Sequence, residues 1–449
     1  MNNFFPSLDY AKQLDSQDPL ASYREQFVIN EPDLIYLDGN SLGRMPKAVI
    51  ERMEKAVEEE WGTDLIRGWN KGWWEAPARI GEKIASLLGA ADREAQVTVS
   101  DQTSLNLYKL ATATLTLRPD RKRIITDTFN FPSDLYVLQG IAKLLSSGGR
   151  VSGEGLDTDY RPTRPSPLYR DHEIIRIGAV DDDITPDLAA LESAITNDTA
   201  LVTLSHVTFK SGYLYDMARI TELAHRKGAL VLWDLSHSAG AVPIELDKCN
   251  VDFAIGCTYK YLNGGPGAPA FLYVNKALQE KVSSPIWGWW GQSNPFAFDL
   301  DYTPAPGVQR FLAGTAPMLS MLAMEAALSP LLDAGMDALR AKSILMTDYA
   351  SYLTDHLLAP LGFSLGSPRD SAKRGSHISI RHADGYRINR ALIEEMNVIP
   401  DFREPDNIRL GFAPLYISFT DIWEGFDRIR KVVEEKRYEK YPRQKLTVT

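Results

Sequence analysis

The chain has 449 residues, 59 acidic against 49 basic, for a formal net charge of -10 and a 44% hydrophobic content. One apolar core rarely organises that length, so a large and a smaller domain are expected, and the acidic balance disfavours nucleic acid or an anionic membrane as the main partner. The two cysteines, Cys249 and Cys257, suggest neither a disulfide framework nor a zinc site, so a reducing cytoplasm fits; the N-terminal residues carry no targeting pattern, and no apolar run nears the roughly 20 residues of a membrane span.

Residues 1–46 read as an arm, in which YREQFVI leads into LIYLDGNSLGRMP and a short apolar run stops at an Asp-Gly-Asn turn. Lys47 to Trp61 and Ala78 to Leu88 carry apolar positions at helical spacing among charges and read as amphipathic helices. Between them RGWNKGWWEAP reads as a loop whose indoles pack on the core, with Gly and Asn around Trp69 shaping a pocket edge. From Gln96 to Tyr273 the strand-like runs VTVS, KRIITDT, ALVTLSHV, ALVLWDLS, DFAIGCT and APAFLYV alternate with helical stretches. That alternation predicts an α/β fold with a mainly parallel central sheet sandwiched by helices, whose ligands sit beyond the carboxyl ends of the strands. Ser146 to His172, rich in Gly, Pro and Arg, reads as a surface excursion, with a lid as the lesser reading. The large domain is expected over 47–315. MLSMLAMEAALSPLL, HISIRH and RINRALIEEM then predict a smaller α/β domain over 316–449, which the arm joins, and the charged ending KRYEKYPRQKLTVT reads as a solvated tail.

The segment VLWDLSHSAGAV to TYKYLNGGPG carries the chemistry. Asp234 ends one apolar strand, and Lys260 follows the next just ahead of Asn263-Gly264-Gly265, so a parallel sheet brings both to its carboxyl edge. An amine there forms a Schiff base with a carbonyl cofactor, and a carboxylate keeps a pyridine nitrogen protonated so that the ring accepts electrons. Singly, each residue has a plainer explanation, a turn aspartate and a solvated lysine. Together, with apolar approaches and a Gly-rich exit, they imply a confined site. DQTSLN offers hydroxyls and backbone N–H groups at a strand-to-helix turn, which suits a phosphate but equally an ordinary N-cap. The seven histidines show no HExxH-like spacing, so no metal is expected.

LDGNSLGRMP, FNFPSD, WDLSHSAGAV, TYKYLNGGPG, GWWGQ and RLGFAPLY, between residues 37 and 416, occur in the order seen in kynureninases, which the chain resembles along nearly its whole length. The resemblance implies the type I fold of pyridoxal 5'-phosphate (PLP) enzymes and hydrolysis of L-kynurenine to anthranilate and L-alanine in tryptophan catabolism. It implies that Lys260 bonds the cofactor and moves the Cα proton, that Asp234 pairs with the ring nitrogen, and that Tyr259 assists proton movement. Thr103, Ser104, Ser205 and His237 would complete the cofactor site, with Phe131 stacked on the ring and Pro132, Ser133 and Asp134 beside it. Arg409 would take the substrate carboxylate, near Asn40 and Ser41. Trp69, Trp289 and Thr315 would meet the aryl end, the last two reaching into the neighbour's site in a homodimer with composite sites. Kynureninases that prefer the 3-hydroxylated substrate carry His and Asn where this chain has Trp69 and Thr315, which favours L-kynurenine, although an apolar pocket rejects one hydroxyl only weakly. The rivals are a class V aminotransferase or a cysteine desulfurase of the same fold, and a PLP-binding regulator without turnover. A desulfurase needs a reactive cysteine on a mobile loop, which neither Cys249 nor Cys257 resembles.

Overall fold

The computed structural model describes residues 4–90, 96–146 and 171–444, so most of the excursion expected from Ser146 lies outside the described residues. Thirteen strands are named here in chain order: β1 Ile35–Tyr36, β2 Val97–Val99, β3 Arg123–Asp127, β4 Glu173–Ile177, β5 Thr199–Ser205, β6 Leu230–Asp234, β7 Phe253–Gly256, β8 Phe271–Val274, β9 Ser364–Leu365, β10 His377–Arg381, β11 Val398–Ile399, β12 Asp401–Arg403 and β13 Asn407–Gly411. The main sheet has seven strands in the order β2-β8-β7-β6-β5-β3-β4. Its central strands TALVTLS, LVLWD and FAIG are buried at every position, as expected of strands covered on both faces. Their pairings are parallel.

β8 is the exception, antiparallel to both neighbours. No helix lies between β7 and β8 to carry a parallel crossover, so the chain returns directly, and Lys260 sits on that return. One face of the sheet is covered by the helices Thr103–Leu117 and Pro132–Ser146, whose Leu107, Leu110, Leu138 and Ile141 pack with Leu201, Leu232 and Ile255. The other face carries the helix Met217–Arg226, capped by Asp216, which accepts from the Arg219 N–H at 3.0 Å. The core on that side runs on into the C-terminal elements.

There a second, antiparallel sheet has the order β12-β13-β10-β9. The arm is bound into the same region: β1 pairs in parallel with β11, Ile35 opposite Val398 and Tyr36 opposite Ile399. Asp15 accepts from the N–H groups of Phe419 (2.6 Å) and Thr420 (3.0 Å), anchoring the arm to the first turn of the helix Phe419–Glu434. The ending is not a free tail as far as Tyr441. Tyr438 and Tyr441 pack against the core, Arg387 donates to the Tyr441 carbonyl at 2.8 Å, and the Tyr441 hydroxyl reaches Glu395 at 2.7 Å. Charge had masked the two rings that hold it down. No helix among the described residues is long and apolar enough to cross a membrane.

Candidate active site

β6 delivers Asp234 and β7 leads into Cys257–Lys260 at the carboxyl edge of the sheet. Asp234 is nearly buried, and its Oδ1 accepts from both the Ser236 N–H (2.8 Å) and the Ser236 hydroxyl (2.6 Å), which fixes its rotamer. The lysine turn is held by Gly264 N–H to the Thr258 carbonyl (2.8 Å) and by the Thr258 hydroxyl to the Pro269 carbonyl (2.6 Å). The arm presses on it: Gly43 donates to the Tyr259 carbonyl at 2.8 Å, and a Cβ on Gly43 would lie 2.3 Å from the Lys260 carbonyl oxygen. Only glycine allows that approach. Lys260 Nζ lies 3.3 Å from His237 Nε2 and 3.4 Å from Nδ1. Burial, then the Lys260 charge and His377, hold His237 well below the usual histidine range, so its ring is neutral.

Burial and the Asp234 carboxylate push Asp134 well above the carboxylate range. Asp134 lies in the first turn of the helix Pro132–Ser146, close to Phe131, which is 44% exposed, lines the cavity and meets Phe209 edge-on at 5.4 Å. The preceding loop is pinned by Asp127 and by Asn130, whose Oδ1 takes the Ser205 N–H at 2.6 Å. Cys257, then burial, raise the Tyr259 phenol, which keeps its proton at neutral pH. Across the cavity Arg409, 2% exposed, donates from Nε to Asp401 at 3.1 Å, from one terminal nitrogen to Ser41 Oγ (3.1 Å) and Asp401, and from the other to the Phe209 carbonyl (2.6 Å). Asp406, three residues earlier in the sequence, pairs with Arg381 instead.

These groups surround one cavity of about 450 Å³, lined by Asn40, Ser41, Thr103, Ser104, Phe131, Ser133, Asp134, Asp234, His237, Tyr259, Lys260 and Arg409. Of the remaining expected residues, Ser205 ends β5 opposite Asp234, and Pro132 opens its helix, but neither lines the cavity. Trp69, Trp289 and Thr315 do not line it either: Trp69 packs edge-on against Trp289 at 5.9 Å in a separate aromatic cluster, and Thr315 is exposed. Ser236, Cys257, Gln102 and Arg403 also line the cavity and were not anticipated. Ser236 could have been found as the second residue after Asp234, where a hydroxyl folds back on the carboxylate. Arg403 left no local signal.

The residues fit PLP. Both side-chain polar atoms of Asn40 are buried on the cavity wall without a partner. The helix Thr103–Leu117 begins at the same cavity with no side-chain cap on its first turn, an anion site for a phosphate. Among the described residues no cluster of three or more His, Cys, Asp or Glu could hold a metal.

Over 430 residues, 95% of both chains, the sequence is 42% identical to the kynureninase of Pseudomonas fluorescens. The chain belongs to the kynureninase family. A kynureninase of Burkholderia mallei (strain SAVP1) is 40% identical over 433 residues, 95% of this chain and 96% of that one. The kynureninase C-terminal domain family matches residues 339–429, and the DegT/DnrJ/EryC1/StrS aminotransferase family matches residues 173–248. Among solved structures, the cysteine desulfurase CsdA of Escherichia coli aligns with a TM-score of 0.74 at 19% identity, covering 97% of this chain and all, 100%, of that one. A variant of the C-DES protein with glycine covalently linked to its PLP cofactor aligns with a TM-score of 0.71 at 18% identity, covering 93% and 99%. These likenesses establish the type I fold in this kynureninase-family chain. Burial raises the thiols of both cysteines, Cys257 buried on the cavity wall and Cys249 half-buried on the turn before β7, which disfavours the reactive thiolate that desulfurase chemistry uses.

Proposed function

We propose that the chain catalyses the kynureninase reaction, the hydrolysis of L-kynurenine to anthranilate and L-alanine in tryptophan catabolism, with PLP held by the cavity around Lys260. The observation that carries this is the 42% identity to a kynureninase across 95% of both chains. When bound, PLP supplies a ring that withdraws electrons from the substrate's Cα. Lys260 would hold PLP through its aldehyde and would be the group that moves the Cα proton. Asp234, its rotamer fixed by Ser236, balances the charged ring nitrogen, while Phe131 supplies a flat platform. Neutral His237 packs beside Lys260 without competing for its charge. Thr103 and Ser104 take the phosphate at the helix N-terminus, and Tyr259, its phenol protonated, is a donor for proton movement. Arg409, with Ser41 and Asn40, receives the α-carboxylate. One water is consumed: its oxygen ends in the anthranilate carboxylate as the Cβ–Cγ bond breaks, and a proton returns to Cβ.

The aryl end is met by Trp69, Trp289 and Thr315 from a homodimer with composite sites. The support is that the apolar side chains Trp287, Trp289, Phe296, Phe298 and Leu300, from one segment of the chain, are all exposed in the single subunit. Trp69 and Thr315 favour unsubstituted kynurenine over the 3-hydroxylated form. The arm 1–46 and residues 316–449 form the small domain beside the PLP-binding domain 47–315, and the protein acts in the cytoplasm. Incubation of the PLP-loaded protein with L-kynurenine tests the reading: equimolar anthranilate and alanine are expected, and none from Lys260→Ala. Glutamate formed from 2-oxoglutarate would mean transamination, and PLP binding without product from any amino acid would mean a regulator.

A further inference from the structure

The two donors that a carboxylate needs are not free on Arg409. Of its five N–H groups, one on Nε and one on a terminal nitrogen go to Asp401, a second there goes to Ser41 Oγ, and the Phe209 carbonyl takes a fourth. One N–H is left, too few for a bidentate grip.

A second guanidinium stands beside it. Arg403 follows Asp401 by two residues on β12, so both side chains leave the same face of the strand, and Asp401 lies directly opposite Arg409 across the β12–β13 register. Arg403 forms an ion pair with Asp401, its Nη1 lying 2.8 Å from Oδ1 without hydrogen-bond geometry, and donates to the Phe402 carbonyl at 3.0 Å, so the Asp401 carboxylate stands between two arginines. Arg403 lines the same cavity, a third of its side chain is accessible, and its Nε is buried without a hydrogen-bond partner. A buried guanidinium N–H is costly to leave unmade, and here it stands at the wall that also carries the unpartnered Asn40 amide.

We propose that Arg403 is a second carboxylate-binding residue, which grips the substrate's α-carboxylate jointly with Arg409. The proposal rests on the kynurenine-cleaving reading for the identity of the substrate. The carboxylate accepts from the remaining Arg409 N–H and from Arg403, and Asp401 sets the spacing of the two cations.

The test compares L-alanine with ethylamine, which is alanine without its carboxylate, as ligands of the PLP-loaded protein, read from the cofactor's absorbance. Arg403→Met is expected to weaken L-alanine roughly 10- to 100-fold, the size of a lost charge-assisted hydrogen bond, with ethylamine binding unchanged. The KM for L-kynurenine should rise by a similar factor while kcat stays within roughly threefold. Arg403→Lys, which keeps the charge but loses the planar fork, should lose a smaller part of the preference, and it serves as the test if the methionine variant does not fold. An unchanged alanine-to-ethylamine preference in the folded variants overturns the proposal. So does weakened PLP binding with the preference intact, which would place Arg403 on the cofactor. If the wild-type protein releases no anthranilate, the reaction assignment fails, yet the comparison of the two ligands still decides the role of Arg403.

Discussion

Asp127 gives a test of how the site is built that needs no substrate. It ends β3 fully buried; Oδ1 accepts from the Phe129 N–H (2.9 Å) and the Asn130 N–H (2.7 Å), and Oδ2 accepts from the Tyr215 hydroxyl (2.6 Å). None of these partners is cationic, so burial outweighs them and pushes the carboxyl from its ordinary 3.8 up to about 6. A raised folded-state value means that this group's contribution to stability is complete below the unfolded value and is lost as the pH climbs through about 6. At about 1.4 kcal/mol per pH unit, the penalty comes to about 1 kcal/mol at pH 4.5 and about 3 kcal/mol at pH 7.5. An asparagine at this position would not need to ionise. Its oxygen accepts the same two amides, and its NH₂ donates to the Tyr215 oxygen in place of the bond it received. Asp127→Asn should therefore exceed the wild type by about 3 kcal/mol at pH 7.5 and by about 1 kcal/mol at pH 4.5. Urea unfolding of the PLP-saturated proteins at the two pH values measures both differences. An Asp127→Asn protein less stable than wild type at pH 7.5, or a difference that does not change with pH, refutes the reasoning.

Lys109 is fully buried, and its ammonium donates to Asp101, which has φ 49° just before the Thr103 helix, and to the Phe311 carbonyl at 2.6 Å. Lys109→Met should release that turn, lowering stability by about 2 kcal/mol in thermal melts and PLP affinity about tenfold by fluorescence titration. A Cβ on Gly411 would stand 2.0 Å from Asn40 Oδ1 and 2.6 Å from its Cγ. Gly411→Ala is expected to drive the Asn40 amide off the cavity wall at a cost of about 1–3 kcal/mol, raising the KM for kynurenine while PLP binding holds, as steady-state kinetics will show. Leu300→Asp together with Phe298→Asp, on the exposed aromatic surface, should shift sedimentation to the monomer and abolish kynurenine turnover without unfolding the chain.

Asp234, Lys260 and Thr103 were legible because strand ends and a helix start are local patterns, and a parallel sheet gathers its carboxyl ends by construction. The direction of β8 was not, since APAFLYV reads the same either way and only the missing crossover helix turns it round. Arg409 lines the cavity, but its partner left no mark in the sequence: Asp401 reaches it through strand register, while Asp406, three residues before it, pairs with Arg381. Arg403 was invisible for the same reason, since nothing within FREPDN distinguishes a cavity arginine from a surface one. Trp69, Trp289 and Thr315 came from family resemblance, and one chain by itself brings none of them to Lys260.

Asp15 and Phe419 meet although 404 residues separate them in sequence. At roughly 5–20 residues per second, a ribosome delivers the two about 20–80 s apart. During that interval Ile35 and Tyr36 have no β11 to pair with, and the apolar run around them is bare on the nascent chain. Final assembly is thus timed by the last stretch to be made, and shortening the chain before Phe419 would strand its beginning without a seat.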